Sequence, residues 1–191
     1  WTVNDFNNGE VSGGGEEEEP QTDVFYIQDQ DGNYFDYKDN INMCIIGPDA
    51  SVSQGFRISK STATAAPWAN SKSVQLLSLC SADGRYLYCG SNGKFSGNTQ
   101  ASNTGTCLWL YEVEGDKAVR TDEPTSGKQY LIVGYKNGTY YQMLNTNNGG
   151  TTNDDLREDS EALDVTELTD EMTFNGNPAA LWTLTAVPDE P

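Results

Sequence analysis

The sequence predicts an all-β fold built from three copies of one four-stranded unit. Three apolar, alternating runs each lead into an Asp-Gly or Asn-Gly pair and then resume with a tyrosine and a further apolar residue. The glycines of these pairs, Gly32, Gly84 and Gly138, are 52 and 54 residues apart. Alternating runs around such a pair are typical of β-hairpins, and a constant spacing of this size is typical of an internal repeat.

The register of the three hairpins follows from the requirement that apolar side chains of both strands share one face. A three-residue loop satisfies this requirement, with glycine in the left-handed conformation at its third position. The predicted loops are Gln30–Gly32, Ala82–Gly84 and Lys136–Gly138. The facing pairs are then Ile27 with Phe35, Leu79 with Leu87, and Val133 with Tyr141.

Two further short runs follow each hairpin and complete the four strands. The third strands are predicted at Ile45–Gly47, Phe95–Gly97 and Phe174–Gly176. The fourth strands are predicted at Phe56–Ile58, Trp109–Tyr111 and Trp182–Leu184. Twelve such strands are enough to close a small barrel capped by three hairpins, with few exposed edges.

In detail the repeats resemble those of the β-trefoil, in its fascin-like and ricin-B-like branches. Asp83–Leu87 followed by Gly93–Phe95 is similar to the fascin-type repeat, and Gln54–Phe56 stands where ricin-type lectins have Gln-x-Trp. The second and third copies keep the tryptophan, as Trp109 and Trp182, without the glutamine. The resemblance covers residues 22–188, with repeats at about 22–60, 73–114 and 128–188, and it implies a lectin-like function.

The formal charge of −18 is concentrated in two segments. Residues 1–21 have six carboxylates and no base, and their Gly- and Glu-rich composition predicts an acidic, flexible N-terminal linker. The third repeat is about 20 residues longer than the others, which predicts an acidic insertion at about 145–172. Asn153 and the acidic residues after it could cap and start a short helix there. With only eleven bases, nucleic acid and anionic lipid are not expected as partners.

The linker resembles the acidic linkers that follow the lipidated cysteine in outer-membrane surface lipoproteins of Bacteroidetes-type bacteria. The similarity lies in Gly9–Pro20, and it implies an exported protein at the cell surface or outer membrane, with a possible lipid anchor upstream of Trp1. No apolar run approaches the roughly 20 residues of a membrane span, so no transmembrane segment is expected.

The chain has no histidine, which excludes Ser-His-Asp and Cys-His nucleophiles and imidazole zinc sites. We therefore expect a non-enzymatic protein without a cofactor. Asp29-x-Asp31-Gly32 resembles the start of a calcium loop, but Asn40 stands where that loop needs a bidentate glutamate. The weak calcium candidates are Asp154, Asp155, Glu158 and Asp159 in the insertion, where solvated charge is the favoured interpretation.

Candidate ligand-binding residues are those that differ between copies. Tyr34, Tyr86 and Tyr140 recur in all three copies and are interpreted as architectural. The predicted register turns Asp36, Tyr88 and Gln142 outward on the second strands, and Tyr26 lies across from them on a first strand. Trp68 lies in the connector between the first two repeats. The candidates are Tyr88, Asp36, Gln142, Trp68 and Tyr26. An exposed aromatic ring of this kind could stack on the face of a sugar.

Four cysteines allow three disulfide pairings. The predicted register places Cys80 and Cys89 on opposite faces of one hairpin, with Cys89 in the core, so these two should not pair. A bridge between Cys80 and Cys107 remains possible, since the first and last strands of the second repeat could be neighbours.

Three functions remain open at this point. The first is a glycan-binding module of a surface or secreted protein. The second is a protein-interaction accessory lipoprotein of an outer-membrane nutrient-uptake complex, with a membrane protein as partner and the acidic insertion as docking surface. The third is a carboxylate-dependent glycoside hydrolase, which needs two carboxyl groups roughly 5–10 Å apart in a cleft.

Overall fold

The computed structural model of the protein describes residues 23–38, 42–63, 71–145, 154–155 and 160–188. Within these ranges the protein is all-β, with fifteen strands and only single 3₁₀ turns between them. The predicted all-β class is therefore confirmed. The predicted linker at residues 1–21 lies outside the described residues, as do Trp68, Glu158 and Asp159.

The strands follow the order of the sequence repeats. The first repeat contains β1 (Val24–Gln28), β2 (Tyr34–Lys38), β3 (Asn42–Gly47) and β4 (Phe56–Lys60). The second contains β5 (Val74–Ser78), β6 (Tyr86–Cys89), β7 (Phe95–Asn98) and β8 (Trp109–Glu114), and is followed by β9 (Lys117–Thr121). The remainder contains β10 (Lys128–Lys136), β11 (Thr139–Met143), β12 (Asp154–Asp155), β13 (Ser160–Ala162), β14 (Glu171–Thr173) and β15 (Trp182–Ala186).

All the strands belong to one antiparallel sheet. Its main order is β14-β9-β8-β10-β15-β1-β4-β5-β6-β7, which is an open arrangement. Strands β2 and β3 branch from β1, and β11 and β13 branch from β10. An isolated bridge between Val74 and Leu108, with reciprocal backbone hydrogen bonds of 2.8 and 3.0 Å, also links β5 to the residue before β8.

The predicted register is right for the first hairpin and wrong for the other two. Ile27 lies opposite Phe35, and Gly32 has a φ of 81° as its loop position requires. In the second hairpin, Leu77 lies opposite Tyr86, and the connection between the strands is longer than three residues. There Ser81 Oγ accepts a hydrogen bond from the Arg85 amide at 3.0 Å and so organises the wider turn.

The third hairpin has a two-residue turn at Asn137 and Gly138. Their φ angles of 52° and 87° are both left-handed, as a type I′ turn requires. Val133 consequently lies opposite Gln142, and the predicted pairing of Val133 with Tyr141 is wrong by one residue. Asparagine tolerates the left-handed conformation better than most residues, which makes this tight turn accessible.

The acidic insertion of the third repeat contains strands, and the helix predicted after Asn153 is absent from its described part. Here β12 pairs with β3, and β13 pairs with β11. The third strand predicted at Phe174–Gly176 is also wrong, because those residues follow β14, which pairs with β9. Strand β13 takes the place beside β11 that a third strand would occupy.

The buried residues form two adjoining clusters. The first draws side chains from all three repeats and includes Phe35, whose ring stacks on Phe56 at 5.7 Å and lies 5.5 Å from Trp182. Trp182 is fully buried, and its Nε1 donates to the Met143 carbonyl at 3.0 Å. The second cluster surrounds Trp109 and extends to the insertion. Large aromatic side chains thus supply much of the buried apolar area.

Candidate functional site

A candidate site is the open pocket between the turn of the third hairpin and the chain that follows β13. We call it the insertion pocket, since most of its wall belongs to the insertion. Its volume is about 510 Å³, within the range of small-ligand sites. It is lined by Gly138, Thr139, Leu163, Asp164, Val165, Thr166, Glu167 and Thr169.

The wall of the insertion pocket is fixed to the rest of the protein at several points. The Leu163 amide donates to the Tyr140 carbonyl at 2.8 Å, which extends the pairing of β13 with β11. Leu168 is buried in the second core cluster, and the Tyr111 hydroxyl donates to the Thr169 carbonyl at 2.7 Å. Burial raises the pKa of Tyr111 to about 12, so this hydroxyl stays a donor at neutral pH.

A nearly buried arginine holds the end of this wall. Arg120 is 6% exposed, and its Nε and Nη2 donate to Asp170 Oδ1 at 3.2 and 2.9 Å. The Lys72 ammonium lies 3.8 Å from the same oxygen. The hydrogen bond from Arg120, helped by the charge of Lys72, lowers the pKa of Asp170. The segment that carries the pocket is therefore anchored by charge as well as by packing.

The lining of the insertion pocket is rich in hydrogen-bonding groups and contains no base. Asp164 and Glu167 present exposed carboxylates, which accept hydrogen bonds, and three threonine hydroxyls can donate or accept. Leu163 and Val165 are half-buried and pack against the second core cluster. The pocket thus combines oxygen acceptors with a small apolar surface.

Gln142, a predicted ligand contact, is buried, so the expectation that it faces outward is wrong. It is 1% exposed, and its Nε2 donates to Glu161 Oε2 at 2.6 Å. Asn175 and Asn177 donate to the same oxygen, each at 3.2 Å. The hydrogen bond from Gln142 is the main cause that lowers the pKa of Glu161. The insertion covers Gln142, and the amide has a structural partner.

Asp36 was also expected to face outward, and it is fully buried. Its carboxylate accepts hydrogen bonds of 2.6 Å from both Ser53 Oγ and Ser78 Oγ. The Tyr37 amide at 2.7 Å and the Cys80 thiol at 3.3 Å are further donors. Because these donors come from the first and second repeats, Asp36 ties the two repeats together.

The two predicted tyrosines lie in separate places. Tyr88 is half-buried against Gly105, where any Cβ atom would overlap its ring, and the Lys136 ammonium lies 5.8 Å from the ring centroid. Tyr26 is half-buried and meets Tyr34 edge-on, with ring centroids 5.3 Å apart. Among the described candidates no hydrogen bond or ring contact joins one to another, so they do not form a single site. A ligand role for either tyrosine stays a prediction.

The calcium candidates receive no support from the described part of the chain. Asp154 and Asp155 form β12, and within the described ranges no group of three or more acidic or cysteine side chains has metal-binding geometry. None of the four cysteines is in a disulfide, so the Cys80–Cys107 bridge is not formed. Cys89 is fully buried, as predicted for a core residue.

Sequence reasoning missed the insertion pocket because the insertion has no counterpart in the other two repeats. Its nine carboxylates were interpreted as solvated charge. A usable signal is the recurrence of the apolar residues Leu163, Val165 and Leu168 among those acids, since these side chains anchor the pocket wall.

Comparison with known proteins gives no relative: no protein-family model matches the chain, and neither a curated protein nor a solved structure matches it. The described residues contain no helix with the length and apolar character needed to cross a membrane. The described residues thus define an all-β protein with an open, acceptor-rich pocket on an insertion.

Proposed function

We propose that this protein is a glycan-binding β-trefoil whose ligand occupies the insertion pocket. The observation that carries the proposal is the pocket lining, which combines two carboxylates and three hydroxyls with the apolar side chains of Leu163 and Val165. A sugar has the complementary surface, since its hydroxyls donate to carboxylates and its C–H face packs on apolar groups.

The trefoil part of the proposal is supported by the strand pairing. Six strands, β8-β10-β15-β1-β4-β5, are consecutive neighbours in the sheet, and the bridge at Val74 and Leu108 brings the two outer ones together. Each repeat sends a second strand out of this group, namely β2, β6 and β11. A six-stranded barrel with three hairpin branches is the arrangement that the repeats at about 22–60, 73–114 and 128–188 would produce.

Binding is favoured over glycoside hydrolysis by the surroundings of the two pocket carboxylates. Asp164 and Glu167 are both exposed. A general acid in a glycosidase must keep its proton at working pH, which requires an apolar or charge-crowded environment that raises its pKa. We therefore propose a non-enzymatic module. When the protein is incubated with oligosaccharides, we expect no new reducing ends to form.

A protein-docking role for the acidic insertion is the second candidate, and the internal contacts of the insertion count against it. Glu161 accepts hydrogen bonds from three side-chain amides, and Asp170 forms an ion pair with Arg120. These two carboxylates are committed to the fold, which leaves less charge for a partner. The surface location and lipid anchor belong to the proposal and rest on the resemblance of residues 1–21 to lipoprotein linkers.

A glycan array with the purified chain tests the proposal. We expect one class of glycans to bind, and the double variant D164N/E167Q to weaken that binding at least about tenfold, because hydrogen bonds to charged groups are lost. D31N is a matched control, since Asp31 is an exposed carboxylate at the turn of the first hairpin. Absence of binding across a broad panel, or equal binding by the double variant, contradicts the proposal; co-purification with a membrane protein would then favour docking.

A further inference from the structure

A second, smaller cavity lies where β4 ends and the connection between β9 and β10 passes over the start of β1. Its volume is about 270 Å³, and it is lined by Asp23, Phe25, Ile58, Ser59, Lys60, Asp122, Glu123 and Pro124. Phe25 and Ile58 belong to the first core cluster and form an apolar floor. Charged side chains lie at the rim, so the cavity has an apolar floor and a charged rim.

The wall of this cavity is held in place by hydrogen bonds. The Thr125 amide donates to the Tyr130 hydroxyl at 2.7 Å, and the Gly127 amide donates to the Leu184 carbonyl at 2.7 Å. Burial raises the pKa of Tyr130 to about 12, so its hydroxyl also keeps the proton that it donates to the Thr125 carbonyl at 3.2 Å. A site whose loop is fixed beforehand loses little entropy when a ligand enters.

The rim already binds one ammonium group, which is the protein's own. The Lys60 Nζ lies 3.7 Å from Asp122 Oδ2, and the Lys60 side chain is 80% exposed while that of Asp122 is 23% exposed. The carboxylate is therefore held by the wall, whereas its cation reaches in from solvent. An exposed pair of this kind contributes little to stability, so another ammonium can replace Lys60 at small cost.

The rim also has more negative charge than Lys60 can neutralise. Asp23 pairs with Arg57 at 3.3 Å, but Glu123 has no ion-pair partner among the described residues. Its backbone is fixed through the Thr121 hydroxyl, which accepts from the Glu123 amide at 3.1 Å. The cavity thus has two ion-paired carboxylates, Asp23 and Asp122, and a third, Glu123, beside an apolar floor.

We propose that this cavity is a second binding site, which takes a small primary ammonium ion carried on an apolar, ring-sized body. The ammonium replaces that of Lys60 at Asp122 and lies near Glu123, and the body covers Phe25 and Ile58. The site is independent of the insertion pocket. Pro124 lines this cavity and Gly138 lines the insertion pocket, and strand β10 lies between them in the sequence. The nine residues of β10 form about 26 Å of extended chain, which separates the two sites.

Three probes of one shape test this site by NMR titration of the whole chain at pH 7: cyclohexylamine, cyclohexanol and cyclohexanecarboxylate. We expect cyclohexylamine to bind several-fold more tightly than cyclohexanol, and the carboxylate not to bind. K60M removes the competing ammonium and is expected to strengthen amine binding by up to about fivefold, whereas D122N weakens it by a similar factor. E167Q in the insertion pocket should leave it unchanged.

Equal binding of the amine and the alcohol would overturn the proposal, as would no detectable amine binding. Weaker amine binding by K60M would overturn it too, because Lys60 would then help the ligand rather than compete with it. Thermal unfolding of K60M and D122N shows whether each variant is folded. Since glycan binding is measured at the other pocket, either proposal can fail while the other holds.

Discussion

Asn145 Nδ2 donates a 2.6 Å hydrogen bond to Asp29 Oδ2 across 116 residues of sequence. Both residues are buried, and Asp29 also accepts from the Asp31 and Asn33 amides of the first hairpin. The contact joins the turn of the first hairpin to the end of β11, so the first and third repeats are held together by a buried carboxylate.

Replacement of Asn145 by alanine should therefore destabilise the whole fold. We expect a loss of about 1.5–3 kcal/mol in the free energy of unfolding, the range for hydrogen bonds to charged groups. Asn145→Asp has nearly the same shape but puts a second carboxylate beside Asp29, and it should cost more than alanine. Urea denaturation measures both; equal stability of the wild type and Asn145→Ala would refute the proposed link.

The indole hydrogen bond of Trp182 offers a test of the core. Trp182→Phe keeps an aromatic ring but leaves the Met143 carbonyl without its donor, and we expect a cost of about 1–3 kcal/mol. Val119→Ala, at a side chain that is 42% exposed, is the control and should change stability by less than about 0.5 kcal/mol. Similar denaturant midpoints for the two variants would show that the indole contact is unimportant.

The Arg120–Asp170 pair predicts a pH dependence of stability. Because the pKa of Asp170 is lowered in the folded protein, its contribution is present above the unfolded value of about 3.9 and is lost as pH falls through the folded value. Asp170→Asn should thus melt at a lower temperature than the wild type at pH 7, and the difference should shrink below about pH 4. A difference that stays constant down to pH 2.5 would contradict this assignment.

The four cysteine thiols should differ sharply in reactivity. Cys44, Cys89 and Cys107 are fully buried, and burial raises the pKa of Cys89 to about 12, whereas Cys80 is half-buried. Alkylation at pH 8 should therefore modify Cys80 first and the other three only after unfolding, as followed by intact mass. Rapid alkylation of a folded Cys80→Ser variant would contradict the burial of the other three thiols.

The sequence predicted the all-β class and the positions of most strands, because turn glycines and alternating apolar residues are local signals. It predicted the register of one hairpin out of three. The third differs because Asn137 also takes a left-handed conformation, and the second because Ser81 and Arg85 widen its turn. Both turns depend on local features, a backbone conformation in one and a side-chain hydrogen bond in the other, that apolar alternation does not reveal.

The candidate site was harder to predict because burial depends on distant residues. Asp36 is covered by Ser78, 42 residues away, and Gln142 by Glu161, 19 residues away. Neither partner follows from the strand that holds the candidate. The insertion pocket depends in the same way on contacts between the insertion and the second core cluster.

The most direct test of the central claim is chemical-shift mapping with the best glycan from the array. We predict that the shifted amides include Thr139 and cluster in residues 163–169, and that they return to their free positions in D164N/E167Q. Shifts centred on Tyr88 or Tyr26, or no saturable shifts with any glycan, would contradict the assignment of the insertion pocket as the binding site.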